Sequence, residues 1–332
     1  MKGRIMEIIR LYSKEEYTYK TPGDFIPQMT LYMHDDEKIR PAMVVIPGGG
    51  YGVVSPTEAV LIAEKFRDLG YNAFVVTYTV RVDEKLDPLM RQPIADISRA
   101  IRLLRSEPER FKIDPEKISV VGFSAGGHLA GSMAVHADED GIPGGISARP
   151  NAAILSYPVI SAGDFAHRGS FDNLIGKNPT DELMQWASLE TQVDENTCPC
   201  FLWHTFEDTL VPPENSLLFE RALAEKNIMR EMHIFATGHH GQSLATQFWK
   251  DGNYYYEDVM AQYEAMIAYE LEHHEGYGKN LPFKMEDIKD AKEGAALFAK
   301  NVMPGPDAQV NESLQIWPIL ADNFLKRVYM KK

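Results

Sequence analysis

Short apolar runs alternate with longer helical patterns along most of this sequence, and this rhythm constrains the fold more than any other feature. The runs are rich in Val and Ile and are apolar at consecutive positions, as strands buried on both faces must be. Strands that alternate with helices form βαβ units with right-handed crossovers. We therefore predict an α/β fold with a mostly parallel central sheet and helices on both faces. The predicted strands are Ala42–Ile46, Ala73–Val76, Ile118–Val121, Ala152–Leu155, Phe201–Trp203 and Met229–Phe235.

The start of the chain and two later segments depart from this alternation. The first two candidate strands, Glu7–Tyr12 and Gln28–Met33, have no helix between them and predict an antiparallel pair at the sheet edge. Residues 161–197 form a lid-like insertion between two strands, and residues 246–311 form a second insertion before the last helix. The sequence contains no obvious linker or internal repeat, so we predict a single domain over residues 1–332.

The sequence GFSAG at residues 122–126 follows directly on a predicted strand and precedes a small-residue helical stretch. In this strand–turn–helix setting a G-x-S-x-G pattern predicts a nucleophile elbow, whose serine is Ser124. The positions two residues to either side must lack bulk, because the turn is sharp and runs close to neighbouring strands. A serine here lies at a helix N-terminus, which favours developing negative charge. An ordinary turn is the alternative interpretation, and the flanking strand and helix argue against it.

Three consecutive glycines follow the first buried strand, within the sequence PGGGY at residues 47–51. Such a loop can bring backbone N–H groups close to a reacting carbonyl, as the HGGG-type loop of esterases does. Pro47 stands where those enzymes usually carry His, but the backbone donors do not require that side chain. We assign the oxyanion hole to the amides of Gly49, Gly50 and Ala125. A phosphate-binding loop is the alternative, but neither G-x-G-x-x-G nor G-K-[ST] spacing is present.

The order Ser…Asp/Glu…His, which is typical of this fold, predicts an acid and then a histidine after later strands. Two acids, Glu207 and Asp208, compete for the first position. We prefer Asp208, which begins a D-x-x-V-P arrangement at the end of a strand, and we interpret Glu207 as a solvated neighbour. The next strand is followed by His239 and His240, and each histidine is flanked by glycine on one side. The local residues leave the choice between these histidines open.

Composition excludes several other classes of function. Asp and Glu number 48 against 34 Lys and Arg, so the formal net charge is −14, which disfavours nucleic acid and anionic membrane as partners. No apolar run approaches the roughly 18 residues of a membrane span, and the first residues contain no signal-peptide core. Cys198 and Cys200 cannot form a disulfide framework, which favours a reduced, cytoplasmic location. The spacing of Cys and His does not predict a metal site, and we expect no cofactor.

Together these motifs resemble the α/β-hydrolase esterases of the acetylxylan esterase-like group, which includes bifunctional feruloyl/acetyl esterases. The similarity covers most of residues 25–245 and then 312–328. In that group the catalytic histidine directly precedes a glycine, which implies that His240 is the base. The resemblance further implies that His240 activates Ser124 and that Asp208 orients His240. The motifs that carry it are Pro47–Tyr51, Gly122–Leu129, Tyr157–Val159, Phe201–Pro212 and Gly238–Gly241.

The resemblance implies a serine esterase that removes acyl groups, chiefly acetyl, from xylo-oligosaccharides or related small carbohydrate esters. The residues alone indicate only that the substrate is an acyl ester or an amide. An arylformamidase or a peptidase with the same triad is therefore the alternative function. A non-catalytic binding module on this fold is a third interpretation, but no triad member is missing. We expect Tyr51, Tyr157 and Trp186 to line the acyl or sugar site by stacking, with core packing as the alternative.

Residues 246–311 depart from the family pattern, because compact relatives pass almost directly from the histidine loop to the last helix. Three roles are open for this segment: packing on its own core, contact with a second copy in a homo-oligomer, and a lid over the substrate. Its first part carries a dense aromatic cluster, which consists of Phe248, Trp249, Tyr254, Tyr255 and Tyr256.

Overall fold

The computed structural model describes residues 7–137 and 145–330 of the chain. In chain order the strands are β1 Ile8–Arg10, β2 Gln28–Tyr32, β3 Arg40–Ile46, β4 Asn72–Thr77, β5 Ile113–Phe123, β6 Ala152–Ser156, β7 Cys200–Thr205 and β8 Arg230–Phe235. They form one sheet in the order β1-β2-β4-β3-β5-β6-β7-β8. The pairs β1–β2 and β2–β4 are antiparallel, and all other neighbouring pairs are parallel.

Helices connect and cover these strands on both faces of the sheet, as the sequence predicts. The described α-helices are α1 Val60–Asp68, α2 Gln92–Ser106, α3 Pro108–Phe111, α4 Ala125–Val135, α5 Arg168–Ile175, α6 Asp181–Ala187, α7 Glu214–Glu225, α8 Gln247–Asp251, α9 Ala261–His273, α10 Ala291–Val302 and α11 Trp317–Met330. The predicted α/β-hydrolase fold, with its mostly parallel sheet, is confirmed.

Burial along the strands follows their position in the sheet. The strands β4, β6 and β7 are buried at every position, which is why they read as continuous apolar runs. The edge strand β8 has only exposed or half-buried residues. The antiparallel opening pair predicted from the sequence is confirmed, with Ile9 opposite Met29.

A backbone turn at Met90 precedes helix α2. This helix begins at Gln92. Met90 has a φ of +51° and its amide donates to the carbonyl of Leu174, so the chain turns there before the helix can start.

The segment 246–311 is packed into the body of the molecule and contains α8, α9 and α10. The Gln262 side chain of α9 accepts a hydrogen bond from the Val80 amide and donates one to the Val80 carbonyl, at 2.9 and 2.7 Å. Met266 and Ile267 of the same helix are fully buried. This helix therefore belongs to the core beside the end of β4.

Candidate active site

Ser124 occupies the sharp turn between β5 and α4. Its φ of +53° and ψ of −118° place a non-glycine residue in a strained conformation, which the surrounding hydrogen bonds maintain. Its amide donates to the Ser156 carbonyl at 3.0 Å. A Cβ added at Gly122 would collide with the Gly126 carbonyl, and one added at Gly126 would collide with the Ile46 carbonyl. The glycine requirement of the elbow is therefore steric.

Ser124 is joined to His240 and Asp208 by two short hydrogen bonds. His240 Nε2 lies 2.7 Å from Ser124 Oγ, and His240 Nδ1 lies 2.6 Å from Asp208 Oδ2. The serine follows β5, the acid follows β7 and the histidine follows β8. Parallel strands end at the same edge of the sheet, so three residues that are distant in sequence meet there.

The Asp208 carboxylate is surrounded by donors. Its Oδ1 accepts the amides of Leu210 and Val211 at 3.1 and 3.0 Å, and its Oδ2 lies 3.3 Å from Nε2 of the buried His204. Burial alone raises the pKa of Asp208, but hydrogen bonds from His204, His240 and the Val211 amide outweigh burial and hold this pKa well below its usual value. The carboxylate is thus ionised at neutral pH.

The competing neighbours, Glu207 and His239, make different contacts. Glu207 Oε2 accepts the Gly238 amide at 3.0 Å. His239 Nδ1 lies 2.9 Å from the backbone carbonyl of His240. The structure therefore brings Asp208 and His240 to the serine, while Glu207 and His239 contact the backbone of the histidine loop.

The glycine loop after β3 faces the serine. Gly49 has a φ of +114°, which glycine adopts without steric cost, and its carbonyl accepts the amides of Gly52 and Val53 at 3.0 and 3.1 Å. Among the hydrogen bonds of residues 7–137 and 145–330, the amides of Gly49, Gly50 and Ala125 donate to no other protein group. Gly49 and Gly50 border the same cavity as Ser124, which is the position that an oxyanion hole requires.

A cavity of about 740 Å³ opens over Ser124 and His240. Gly49, Gly50, Glu58 and His167 border it, and His167 belongs to the 161–197 segment. Residues 302–308 also border the cavity. We call them the wall segment, which consists of Val302, Met303, Pro304, Gly305, Pro306, Asp307 and Ala308. The segment 246–311 therefore contributes directly to this cavity.

The three aromatic residues expected to line a sugar site do not border this cavity, so a stacking role for them there needs correction. Tyr51 is buried and its hydroxyl lies 2.8 Å from His128 Nδ1. Tyr157 is buried and its hydroxyl donates to Glu58 at 2.7 Å. Trp186 stacks on His136, at a ring-centre distance of 5.4 Å. Their rings are held by packing, which is the alternative that the sequence left open.

Three features near the site were not singled out by sequence reasoning: Glu58, His204 and the wall segment. Glu58 stands before an apolar helical run and looks like an ordinary acid at a helix start. His204 interrupts the apolar strand β7, and a polar residue in a buried strand was the available signal. The wall segment carries no local signal, because only tertiary packing brings it to the serine.

The described residues carry neither a metal-ligand cluster nor a membrane-spanning helix. No group of three or more His, Cys, Asp or Glu side chains in residues 7–137 and 145–330 is arranged to hold a metal ion. Over the same residues, no helix has both the length and the apolar character needed to cross a membrane. Cys198 and Cys200 are both free and buried.

A family model described as BD-FAE matches residues 29–223, which is more than half of the chain. The chain belongs to the BD-FAE family. Among solved structures, this BD-FAE protein is similar to an acetyl ester-xyloside bifunctional hydrolase from Caldicellulosiruptor lactoaceticus, with 38% identity and a TM-score of 0.67. That alignment covers 72% of this chain and 89% of the other. The α/β hydrolase MGS-M1, from a deep-sea metagenome library, aligns over 99% of both chains with 26% identity and a TM-score of 0.62.

Two curated relatives carry carbohydrate-related names. The match to an endo-1,4-β-xylanase B from Butyrivibrio fibrisolvens is 45% identical over 258 residues and covers 75% of this chain. The match to an acetylxylan esterase from Xylanibacter ruminicola is 26% identical over 256 residues and also covers 75% of this chain. The matched segments span 40% and 51% of those two proteins, so this chain corresponds to about half of each relative or less.

Proposed function

We propose that this BD-FAE protein is a serine carboxylic ester hydrolase that removes acyl groups, chiefly acetyl, from small neutral carbohydrate esters such as acetylated xylo-oligosaccharides. The observation that carries the proposal is the hydrogen-bonded chain from Asp208 through His240 to Ser124, whose last two members border the cavity. The names of the acetylxylan esterase and of the acetyl ester-xyloside hydrolase to which the chain is similar support this substrate class.

In the proposed mechanism His240 Nε2 takes the proton of Ser124 Oγ as this oxygen attacks the ester carbonyl. Asp208 holds the imidazole in the required tautomer and stabilises the imidazolium. The amides of Gly49, Gly50 and Ala125 bind the oxyanion, and one such donor typically contributes about 3 kcal/mol to transition-state stabilisation. His240 then protonates the departing alcohol, and water attacks the acyl-enzyme with the same histidine as base.

The charge of the cavity supports a neutral substrate. Among the described residues that border it are the acids Glu58 and Asp307, and no Lys or Arg is among them. An anionic group on the substrate would therefore lose its hydration without gaining an ion pair. The cavity has a volume of about 740 Å³, which leaves space for a sugar in addition to an acetyl group.

We further propose that the segment 246–311 acts as a fixed part of one hydrolase domain rather than as a detachable lid. Its helix α9 is hydrogen-bonded to Val80, and its wall segment borders the cavity. Contact with a second copy and a cytoplasmic location both remain predictions from the sequence.

The proposal is tested by the initial rate of acyl release from a matched panel. The panel contains acetylated xylo-oligosaccharides with and without a uronic acid branch, 4-nitrophenyl acetate and N-formylkynurenine. We expect kcat/KM to be highest for the neutral acetylated oligosaccharide. A preference for N-formylkynurenine would favour the arylformamidase alternative, and equal rates for neutral and uronate-bearing substrates would contradict the charge argument.

A further inference from the structure

Glu58 is a buried carboxylate that borders the active-site cavity and that the mechanism above does not use. Only 3% of its surface is exposed. A carboxylate beside an oxyanion hole is electrostatically unfavourable, because it repels the charge that develops on the substrate oxygen. Burial also raises the pKa of Glu58, which reflects the free-energy cost of keeping it ionised there. A residue with these two costs requires a structural or catalytic reason.

The first contact of Glu58 is with the oxyanion loop. Its Oε2 accepts the amide of Gly48 at 2.7 Å, one residue before the donor Gly49. The carbonyl on the other side of the same peptide unit, that of Pro47, accepts the Tyr78 hydroxyl at 2.7 Å. The Pro47–Gly48 peptide is therefore held from both edges, which fixes the direction in which the following amides point.

The second contact of Glu58 reaches the histidine loop. Its Oε1 accepts the Tyr157 hydroxyl at 2.7 Å, and the same hydroxyl oxygen accepts the amide of Ser243 at 3.2 Å. Ser243 follows His240 by three residues, has a φ of +39°, and donates its Oγ to the Thr57 carbonyl at 2.9 Å. The ring of Tyr157 also packs against His240 at a centre distance of 4.9 Å.

We propose that Glu58 is a positioning residue that ties the oxyanion loop to the histidine loop, through the Gly48 amide on one side and the Tyr157 hydroxyl on the other. This inference rests on the proposed esterase function. It assigns Glu58 no contact with the substrate. Its effect is to keep the amide donors and His240 in register around Ser124, and a misplacement of about 1 Å in such an arrangement can cost about a hundredfold in rate.

The test compares Glu58→Ala, Glu58→Gln and Tyr157→Phe with the wild-type chain. The measured quantities are kcat and KM for 4-nitrophenyl acetate, with kcat expressed per site titrated by a fluorophosphonate probe. Glu58→Ala should lower kcat per site by about 10- to 100-fold and change KM by less than about twofold, because the lost interaction acts in the transition state. Glu58→Gln keeps an acceptor for Gly48 and should recover part of the loss.

A matched control is Asp96→Asn. Asp96 is another fully buried acid and accepts the Thr79 amide at 2.8 Å and the Tyr12 hydroxyl at 2.9 Å. It does not border the cavity, so its substitution should lower the melting temperature and leave kcat per titrated site unchanged. A general effect of losing a buried carboxylate would lower kcat in both variants and would overturn the proposal.

The double variant Glu58→Gln/Tyr157→Phe should lose no more activity than the less active of the two single variants. Both substitutions break one connected network, so their effects should not add. A kcat per site for Glu58→Ala within threefold of the wild type would overturn the positioning role. A raised KM with unchanged kcat would also overturn it, because Glu58 would then contact the substrate. If Glu58→Ala does not fold, unchanged kcat per site in both Glu58→Gln and Tyr157→Phe overturns the proposal.

The rate constant of fluorophosphonate labelling separates this inference from the proposed function. Labelling of Ser124 needs the same amides and His240 but no ester substrate. A wild-type chain that labels but hydrolyses no ester would overturn the proposed function, while slower labelling of Glu58→Ala would still support the positioning role. Equal labelling rates in the two chains would overturn the positioning role alone.

Discussion

The loops that carry the proposed triad and the wall segment border the same cavity, but their hydrogen bonds differ in how far along the chain they reach. Ser124 and Asp208 follow buried parallel strands, and their backbone and side-chain polar groups are hydrogen-bonded. The wall segment, by contrast, is hydrogen-bonded locally: the Ala308 amide donates to the Gly305 carbonyl at 3.0 Å, and the Asp307 carbonyl accepts the Gln309 side-chain amide at 3.1 Å.

This difference separates two functions of the site. The groups proposed to react are fixed by strand ends and by a strained turn, whose geometry allows few alternatives. The wall is a turn with local hydrogen bonds and two prolines, Pro304 and Pro306, so substitutions there should leave the triad loops in place. Changes in the triad loops should therefore act on kcat, and changes in the wall should act on KM.

The largest effect is expected from Ser124→Ala, which removes the nucleophile. We expect kcat to fall by at least about a thousandfold while the chain remains folded. Fluorophosphonate labelling, detected by mass spectrometry, should disappear. Ser132→Ala, on the helix α4 that follows Ser124, is the control and should label normally. Retained labelling of Ser124→Ala would place the nucleophile elsewhere and remove the basis of the comparison.

The next largest effects are expected from substitutions of Asp208 and His240, compared with the same kinds of substitution at their sequence neighbours. Asp208→Asn should lower kcat by about 10³- to 10⁴-fold, because the imidazole would lose its carboxylate partner, whereas Glu207→Gln should change kcat little. His240→Ala should likewise abolish turnover of 4-nitrophenyl acetate, and His239→Ala should not. The opposite result in either pair would show that the fixed geometry of the strand ends does not select the reacting residues.

An intermediate effect concerns His128, which packs behind the elbow. Its Nδ1 faces the Tyr51 hydroxyl and its Nε2 faces the Ala187 carbonyl, both at 2.8 Å, so the ring is a neutral link between them. Burial lowers the pKa of His128 to about 4 from 6.5. Between these two pH values the unfolded chain binds more protons than the folded chain. The free energy of unfolding therefore decreases as the pH falls from about 6.5 to 4.

We expect the difference in unfolding free energy between the wild type and His128→Asn to shrink by about 3 kcal/mol over that pH range. Urea unfolding at several pH values measures it. Asp96, whose pKa is raised to about 6 by burial, contributes the opposite slope between about 4 and 6. Because both chains contain Asp96, its contribution cancels in the difference. A difference that is constant with pH would contradict a neutral, buried His128.

The smallest effect is expected from the wall. In Pro304→Ala/Pro306→Ala the wall gains backbone freedom, which must be lost again when the sugar binds. The KM for an acetylated xylo-oligosaccharide should rise by about three- to tenfold, and kcat for 4-nitrophenyl acetate should change by less than about twofold. Pro108→Ala at the start of α3 is a distant control. Equal effects on the two substrates would contradict the proposal that the wall acts on KM and the triad loops act on kcat.

The features that the sequence predicts correctly are those that local patterns of residues determine. The strands and the elbow are encoded by local patterns: apolar runs, glycine spacing and a strand directly before GFSAG. The preference for Asp208 over Glu207 rests on a local pattern too, and the structure brings Asp208 rather than Glu207 to His240. Such features can be predicted because they depend on the backbone conformation of residues that are close in the sequence.

The parts that could not be predicted depend on contacts between distant residues. Glu58 and Tyr157 are 99 positions apart, and nothing near either residue indicates that they meet. Tyr51 and Tyr157 were expected to stack on a sugar, but their rings are covered by core residues that only the folded chain assembles. The place of segment 246–311 in the core depends on a distant contact too, because Gln262 of α9 accepts the amide of Val80, 182 positions away.

The acidic lining of the cavity has a consequence for the end of the reaction. In the proposed reaction a neutral ester becomes a carboxylate, and this anion faces Glu58 and Asp307 in a cavity that no Lys or Arg of the described residues borders. The lining that disfavours entry of charged substrates thus also favours departure of the acid product. Turnover should consequently show little inhibition by acetate, and acyl transfer from free acetate to a sugar should be slow.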